Sequence, residues 1–321
     1  MAEPKTYQIR YARHVLSESN ASDNSGVNIH DPPITTPEKE DDLIRNNKLD
    51  PMKHGHGREY AETKMREYFL RQEKGVSVFI VSPLARVIQT FLLSAKEDDL
   101  RRSLIIIEPL LLEQTRWFSD RARPVKKIRE TIEQELQARF HGSLTFQNLN
   151  IDWQRMLTGE NENEENETLD KPWHLKTGEW APENLIERGK QAVQMILQEC
   201  KKIEKKQGQY VDNQVCVFGH GGFVNYMTDQ VGATDTRLKV PKLSDWYTGE
   251  IRDYKVYDAN PGDPSPCRLL VRSEEEPLVG KGKEVEDDKR MELREFVNVG
   301  LDRYTPTPDQ ENAFNQNLAR K

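Results

Sequence analysis

Four short apolar runs, separated by amphipathic stretches, constrain the fold of this chain more than any other feature in it. Residues 7–12, 76–81, 103–107 and 213–218 have the length, composition and polar boundaries of strands. Helical spacing fills the gaps between them. From Arg58 to Lys74 the apolar positions Tyr60, Ala61, Met65, Tyr68 and Phe69 recur with a helical period, and Gly75 is placed to cap the end. Residues 85–95 predict a second helix, Pro124 to about Phe140 a third, and Pro182 to Lys205 a fourth. Gly222–Val231 predicts another helix directly after the last run. Such alternation predicts an α/β fold, a three-layer α/β/α sandwich around a mostly parallel, doubly wound sheet. Residues 246–257 and 267–272 are expected to finish that sheet as edge strands. Residues 15–56 are expected to be polar loop with short turns.

A chain of 321 residues has room for one large α/β domain or two smaller ones. The expected division is a catalytic domain over 1–272, with polar insertions at about 36–56 and 157–170, and a charged peripheral tail over 273–321. The acidic tract Glu160–Glu167 lies in the second insertion and predicts a solvated segment. Charged residues make up 31% of the chain, and no apolar run is long enough to span a bilayer. The N-terminus has no hydrophobic core of a signal peptide. A net charge of −7 argues against a general nucleic-acid binder. Cys200, Cys216 and Cys267 show no CxxC spacing, so neither a disulfide scaffold nor a structural zinc site is expected. The expectation is a cytoplasmic protein with no membrane or nucleic-acid partner.

The residues that end the apolar runs carry the functional signal. Arg13-His14 ends the first, Ser82-Pro83-Leu84-Ala85-Arg86-Val87-Ile88-Gln89-Thr90 follows the second, and Gly219-His220-Gly221-Gly222 closes the last. Strand ends are where an α/β sheet displays reactive groups, so two histidines and two arginines are expected in one crevice. That set suits phosphoryl chemistry. A neutral imidazole, with a pKa near ~6.5, can attack phosphorus at neutral pH and form a phosphohistidine. Arg13 and Arg86 would grip the phosphoryl oxygens through their planar forks. His220 would be a further oxyanion donor, with Gly219, Gly221 and Gly222 letting the backbone approach the anion.

Together with Asn20, these segments resemble the histidine phosphatase superfamily, the phosphoglycerate-mutase-like fold, over roughly residues 5–260. Finer matches resemble its fungal-type branch. Asp31-Pro32-Pro33-Ile34-Thr35 and Gly57-Arg58-Glu59-Tyr60-Ala61 look like one string of that branch, split here by a charged insertion. Glu108-Pro109-Leu110-Leu111-Leu112-Glu113 resembles the segment that delivers its acid/base glutamate, and Trp246-Tyr247, Glu250 and Arg252 resemble its W…ExR string. The resemblance implies a phosphomonoesterase, independent of cofactors and metals, acting on a small phosphorylated or otherwise anionic metabolite. It implies His14 as nucleophile, Glu113 as acid/base, His220 as electrostatic partner, and Arg13, Asn20, Arg86 and Gly221 around the phosphate. Glu108 competes with Glu113, because it directly follows the third strand. Mutase activity is less favoured, since the basic substrate-positioning residues of the glycolytic mutases are not clearly reproduced.

Val15 departs from the small residue the family carries after its histidine, and is expected to narrow the pocket floor. Two rivals therefore stay open: the same pocket reused for non-phosphoryl chemistry on a carboxylated metabolite, and a catalytically silent module that binds a phospho-ligand. Arg116, Arg121 and Arg123 are either exposed charges or contacts to a second anionic group of the substrate. His54-Gly55-His56 has alternate histidines but no evident third metal ligand.

Overall fold

The computed structural model describes residues 5–18, 30–46, 57–114, 118–157, 180–181, 184–209, 212–228, 246, 248–258 and 271–272. Seven strands form one sheet: β1 (Lys5–Arg13), β2 (Val78–Val81), β3 (Leu104–Ile107), β4 (Asn150–Asp152), β5 (Val215–Gly219), β6 (Ile251–Asp258) and β7 (Val271–Arg272). Their order is β4-β3-β2-β5-β1-β6-β7. Strands β1 to β5 run parallel, and β6 and β7 add an antiparallel edge beside β1.

Alternation along the strands builds the three layers. Ala12, Phe79, Val81, Ile105, Ile107, Cys216 and Phe218 point to one core, whereas Ile9, Tyr11, Val78, Ile80, Ile106, Val215 and Val217 point to the other. The first core is covered by three helical segments. These are α2 (Arg58–Tyr60, a π-turn over Ala61–Met65, then Arg66–Leu70), α3 (Ala85–Ser94) and α5 (Val125–Phe140). The second is covered by α6 (Leu185–Gln207) and α7 (Gly221–Met227). This division follows from the right-handed crossover rule. The chain steps from β1 past β5's place to β2, β3 and β4 in one direction, then reverses to insert β5 between β1 and β2. Reversal puts the connecting α6 on the opposite face, and the crevice at the carboxyl ends of β1, β5 and β2 is where such a sheet binds ligands.

Several elements differ from expectation. Within the expected loop over 15–56, Pro37–Arg45 forms a helix, α1, started by Pro37 with Glu38 and Glu40 in its first turn and Arg45 in its last. The helix expected from Arg58 to Lys74 stops at Leu70, with Arg71 in a right-handed conformation at its C-cap, so Gly75 caps nothing. A short helix, α4 (Glu97–Arg102), and strand β4 were not anticipated. The sixth strand begins at Ile251 rather than 246.

The split string is joined in space. Arg58 donates its backbone N–H to Thr35 O at 3.3 Å, Gly57 N–H reaches Glu40 Oε1 at 2.7 Å, and the Thr35 hydroxyl bonds the same carboxylate at 2.6 Å. Thr35, Glu40 and Gly57 thus meet at one point. Among the described residues no helix is long and apolar enough to cross a membrane. Residues 273–321, and all but Leu157 of the 157–170 insertion, lie outside the described residues.

Candidate active site

Strand register assembles the site. Arg13 pairs with Gly219 across β1 and β5, and Val81 pairs with Phe218 across β2 and β5. His14, His220 and Ser82 are therefore the first residues past three adjacent strand ends. His14 N–H donates to Gly219 O at 3.1 Å and Ser82 N–H to Phe218 O at 3.0 Å, which carries the ladder to the rim. The two imidazoles meet edge to face, 5.1 Å between centroids and 64° between planes.

The hydrogen bonds of His14 set its tautomer. Its Nδ1 lies 2.6 Å from Val15 O. A carbonyl only accepts, so Nδ1 carries the proton and Nε2 keeps its lone pair. The Nε–H of Arg86 donates to that Nε2 at 3.4 Å. Burial, then the positive charges of Arg86 and Arg13, holds the imidazole well below its ordinary pKa, and the bond to Val15 only partly opposes them. His14 is thus neutral, with a lone pair aimed at a cation.

His220 is fixed from three sides. Its backbone N–H donates to Tyr11 Oη at 2.9 Å, and the Tyr11 hydroxyl donates to His220 O at 3.0 Å. Its Nε2 lies 3.0 Å from Ser82 Oγ, and its Nδ1 lies 3.8 Å from Glu113 Oε2. Arg86 enters from the first turn of α3, whose Ala85 N–H is capped by Asp31 Oδ1 at 2.8 Å. The remaining arms of the Arg86 guanidinium donate to Ser119 O and to Asp120 Oδ1, the latter at 2.9 Å. Arg13 donates to Trp246 O, and Trp246 in turn lies under the Arg252 guanidinium at 4.1 Å. The buried Glu250–Arg252 ion pair closes this side.

Glu113 faces His220, whereas Glu108 faces Arg155. Glu113 Oε1 accepts Gln114 N–H at 2.9 Å, and 17% of the side chain stays accessible. Burial, reinforced by Asp120, raises its pKa against the opposing pull of Arg86 and Arg13. Glu108 instead accepts Leu110 N–H at 2.9 Å at the start of a 3₁₀ turn and pairs with Arg155 at 2.9 Å. Burial pushes it up to about 7. The glycines after His220 make room for the cluster. A Cβ on Gly222 would lie 2.7 Å from Glu113 Oε1, and one on Gly221 would lie 3.0 Å from Arg13 Cδ.

No protein-family model matches the chain, and no curated protein matches it. Solved structures do. "Mycobacterial hydrolase 2" aligns with 13% identity over 94% of this chain and 99% of that chain, at a TM-score of 0.42. The ecdysone phosphate phosphatase from Bombix mori in complex with tungstate aligns with 17% identity over 84% and 96%, at 0.32. A putative alpha-ribazole-5'-P phosphatase from Escherichia coli aligns with 13% identity over 87% and 100%, at 0.36. At such scores the chemistry has to rest on this chain's own side chains.

The structure gathers Arg13, His14, Arg86, Glu113, His220 and Gly221 in one crevice. Asn20, His54, His56, Arg116 and Tyr247 lie outside the described residues. Arg123 is committed elsewhere, donating to Asp31 O at 3.0 Å and His30 O at 3.3 Å, and Arg121 is buried over the Phe118 ring at 5.1 Å. Arg121 is thus not an exposed charge, whereas the Arg123 side chain remains 35% accessible.

Val15 does not act as expected. Its side chain is buried in the core beneath α2, and its carbonyl accepts from His14 Nδ1. Opposite it lies Gly249 at φ +76°, where a Cβ would sit 3.3 Å from Val15 Cγ1 and 2.7 Å from the Tyr60 ring. The bulk of Val15 is absorbed there.

Sequence reasoning gave no role to Asp31, Tyr11, Asp120 or Arg188, all of which hold site residues. Their signals depend on partners distant in the chain. Among the described residues, no group of three or more His, Cys, Asp or Glu side chains is placed to hold a metal ion. The crevice thus holds a nucleophilic nitrogen beside the Arg86 guanidinium and a carboxyl 3.8 Å from His220.

Proposed function

We propose that this chain is a histidine-phosphatase-type phosphohydrolase that transfers the phosphoryl group of a small phosphate monoester to His14 and then to water. The 2.6 Å contact of His14 Nδ1 with Val15 O, which assigns the proton to Nδ1 and leaves Nε2 facing Arg86 Nε at 3.4 Å, is the observation that carries the proposal. Attack by Nε2 on phosphorus forms an N–P bond as the P–O bond to the leaving group breaks. Arg13, Arg86 and His220 offset the charge on the phosphoryl oxygens. Glu113, whose pKa is raised by burial and by Asp120, gives its proton to the departing oxygen. The resulting carboxylate then takes a proton from water, which attacks the phosphohistidine, releases inorganic phosphate and restores both residues.

Asp120 and Asp31 support this assignment from behind, by holding Arg86 and the helix that bears it. Burial of Val15 in the core removes the sequence-level reason for assigning the pocket to a carboxylated metabolite. The test is turnover of a generic phosphate monoester. His14→Ala is expected to lose at least about 1,000-fold in kcat/KM. Full turnover in that variant would exclude His14 as the nucleophile.

A further inference from the structure

We propose that Arg188 is a positioning residue that aims the Glu113 carboxyl at the reacting centre. The proposal rests on the hydrolase reading of the site and extends it to a residue outside the crevice. Arg188 lies near the start of α6 and is 1% exposed. Its Nη2 donates to Leu112 O at 2.7 Å and to Glu113 O at 3.2 Å, and its Nη1 donates to Trp180 O at 3.3 Å. The first two carbonyls belong to the peptide planes on either side of the Glu113 Cα. A planar peptide leaves only two soft dihedrals per residue, so gripping both planes fixes φ and ψ of Glu113 and hence the direction of its Cα–Cβ bond.

The same guanidinium lies 4.4 Å from the centroid of the Phe223 ring. Phe223 lies in α7, two residues past Gly221, so one side chain ties the acid's backbone to the helix whose N-cap is His220. Desolvation lowers the Arg188 pKa to about 10. Burying a cation against carbonyls carries a desolvation cost, and the bonds it makes there enforce a geometry. Here the geometry is the 3.8 Å separation of Glu113 Oε2 from His220 Nδ1.

Leaving-group dependence separates this role from a scaffold role. A p-nitrophenolate departs without a proton, whereas an alkoxide needs one from Glu113. In Arg188→Met, which keeps the apolar stem over Phe223, kcat/KM for an alkyl phosphate is expected to fall about 30- to 100-fold. For p-nitrophenyl phosphate it should change by less than about threefold. Arg188→Lys, which keeps a buried donor, should recover part of the alkyl-ester rate. In a Glu113→Gln background, Arg188→Met should cost nothing further on the alkyl ester. An equal fall on both esters, no fall on either, or a full additional loss in the double variant would overturn the positioning role. An inert wild-type chain would overturn the hydrolase reading itself, and this inference with it.

Discussion

Gly222→Ala is the smallest change that should pull activity and stability in opposite directions. The added Cβ would lie 2.7 Å from Glu113 Oε1 and 3.0 Å from Gln114 Nε2, where ordinary contact begins at 3.4 Å. The carboxylate must therefore retreat by about 0.7 Å, the difference between the first and last of these distances. Both clashing atoms are ends of side chains, so they yield by rotation and the backbone stays in place. Gly222 lies in the first turn of α7, where alanine is favoured over glycine by roughly 0.5–1 kcal/mol. Unfolding free energy is thus expected to hold or rise by up to about 1 kcal/mol. A misplacement approaching 1 Å costs up to about 100-fold in rate, so kcat/KM for an alkyl phosphate should fall about 10- to 100-fold. Steady-state kinetics and urea denaturation on the same preparation read both quantities. Unchanged kinetics would refute the placement of Glu113, as would a loss of activity matched by a loss of several kcal/mol in stability.

The ionisation of His14 gives a second expectation. Burial and two arginines hold its pKa well below the ordinary imidazole value, so kcat/KM should not fall as pH drops through about 6.5. A fall centred there would mean that His14 titrates as an exposed histidine. Asp31 gives a third. Burial moves its carboxyl from 3.8 to about 7, so its contribution to stability is fully present below about 4 and is lost as pH rises to about 7, by up to roughly 4 kcal/mol. Asn keeps the Oδ1 acceptor for Ala85 N–H and removes this titration. Asp31→Asn should gain stability relative to wild type between pH 4 and pH 8 in chemical denaturation, and a pH-independent difference would contradict the burial argument.

Those parts of the molecule written in continuous apolar runs were legible in the sequence. Strands β1, β2, β3 and β5 are such runs, and the residues that end β1 and β5 named the two histidines. Their meeting in one crevice is expected from strand-end placement, but their edge-to-face arrangement was not legible, because it depends on β5 inserting between β1 and β2. Elements held by polar contacts or by the sheet alone left no periodic signal. Strand β4 has one exposed and two half-buried residues and pairs with β3 at the sheet edge, and α1 buries only Glu40.

The physical reason for Glu113, which the family-like spacing favours over Glu108, is not legible in that spacing. It depends on the 3₁₀ turn at Pro109–Leu111, which points Glu108 at Arg155 and carries Glu113 on to His220. Val15 shows the same limit. A branched residue beside the nucleophile looks obstructive until Gly249, far along the chain, is found making space for it.

The most direct measurement of the central claim is a rapid acid-free quench of the wild-type chain turning over a ³²P-labelled phosphate monoester. It should be followed by peptide mapping under alkaline conditions that preserve N–P bonds. A phosphoryl group is expected on His14, absent in His14→Ala, and accumulating in Glu113→Gln when an aryl ester is used, because water then lacks its base. Label on His220 or on an oxygen nucleophile, or turnover that passes through no phosphoenzyme, would contradict the account.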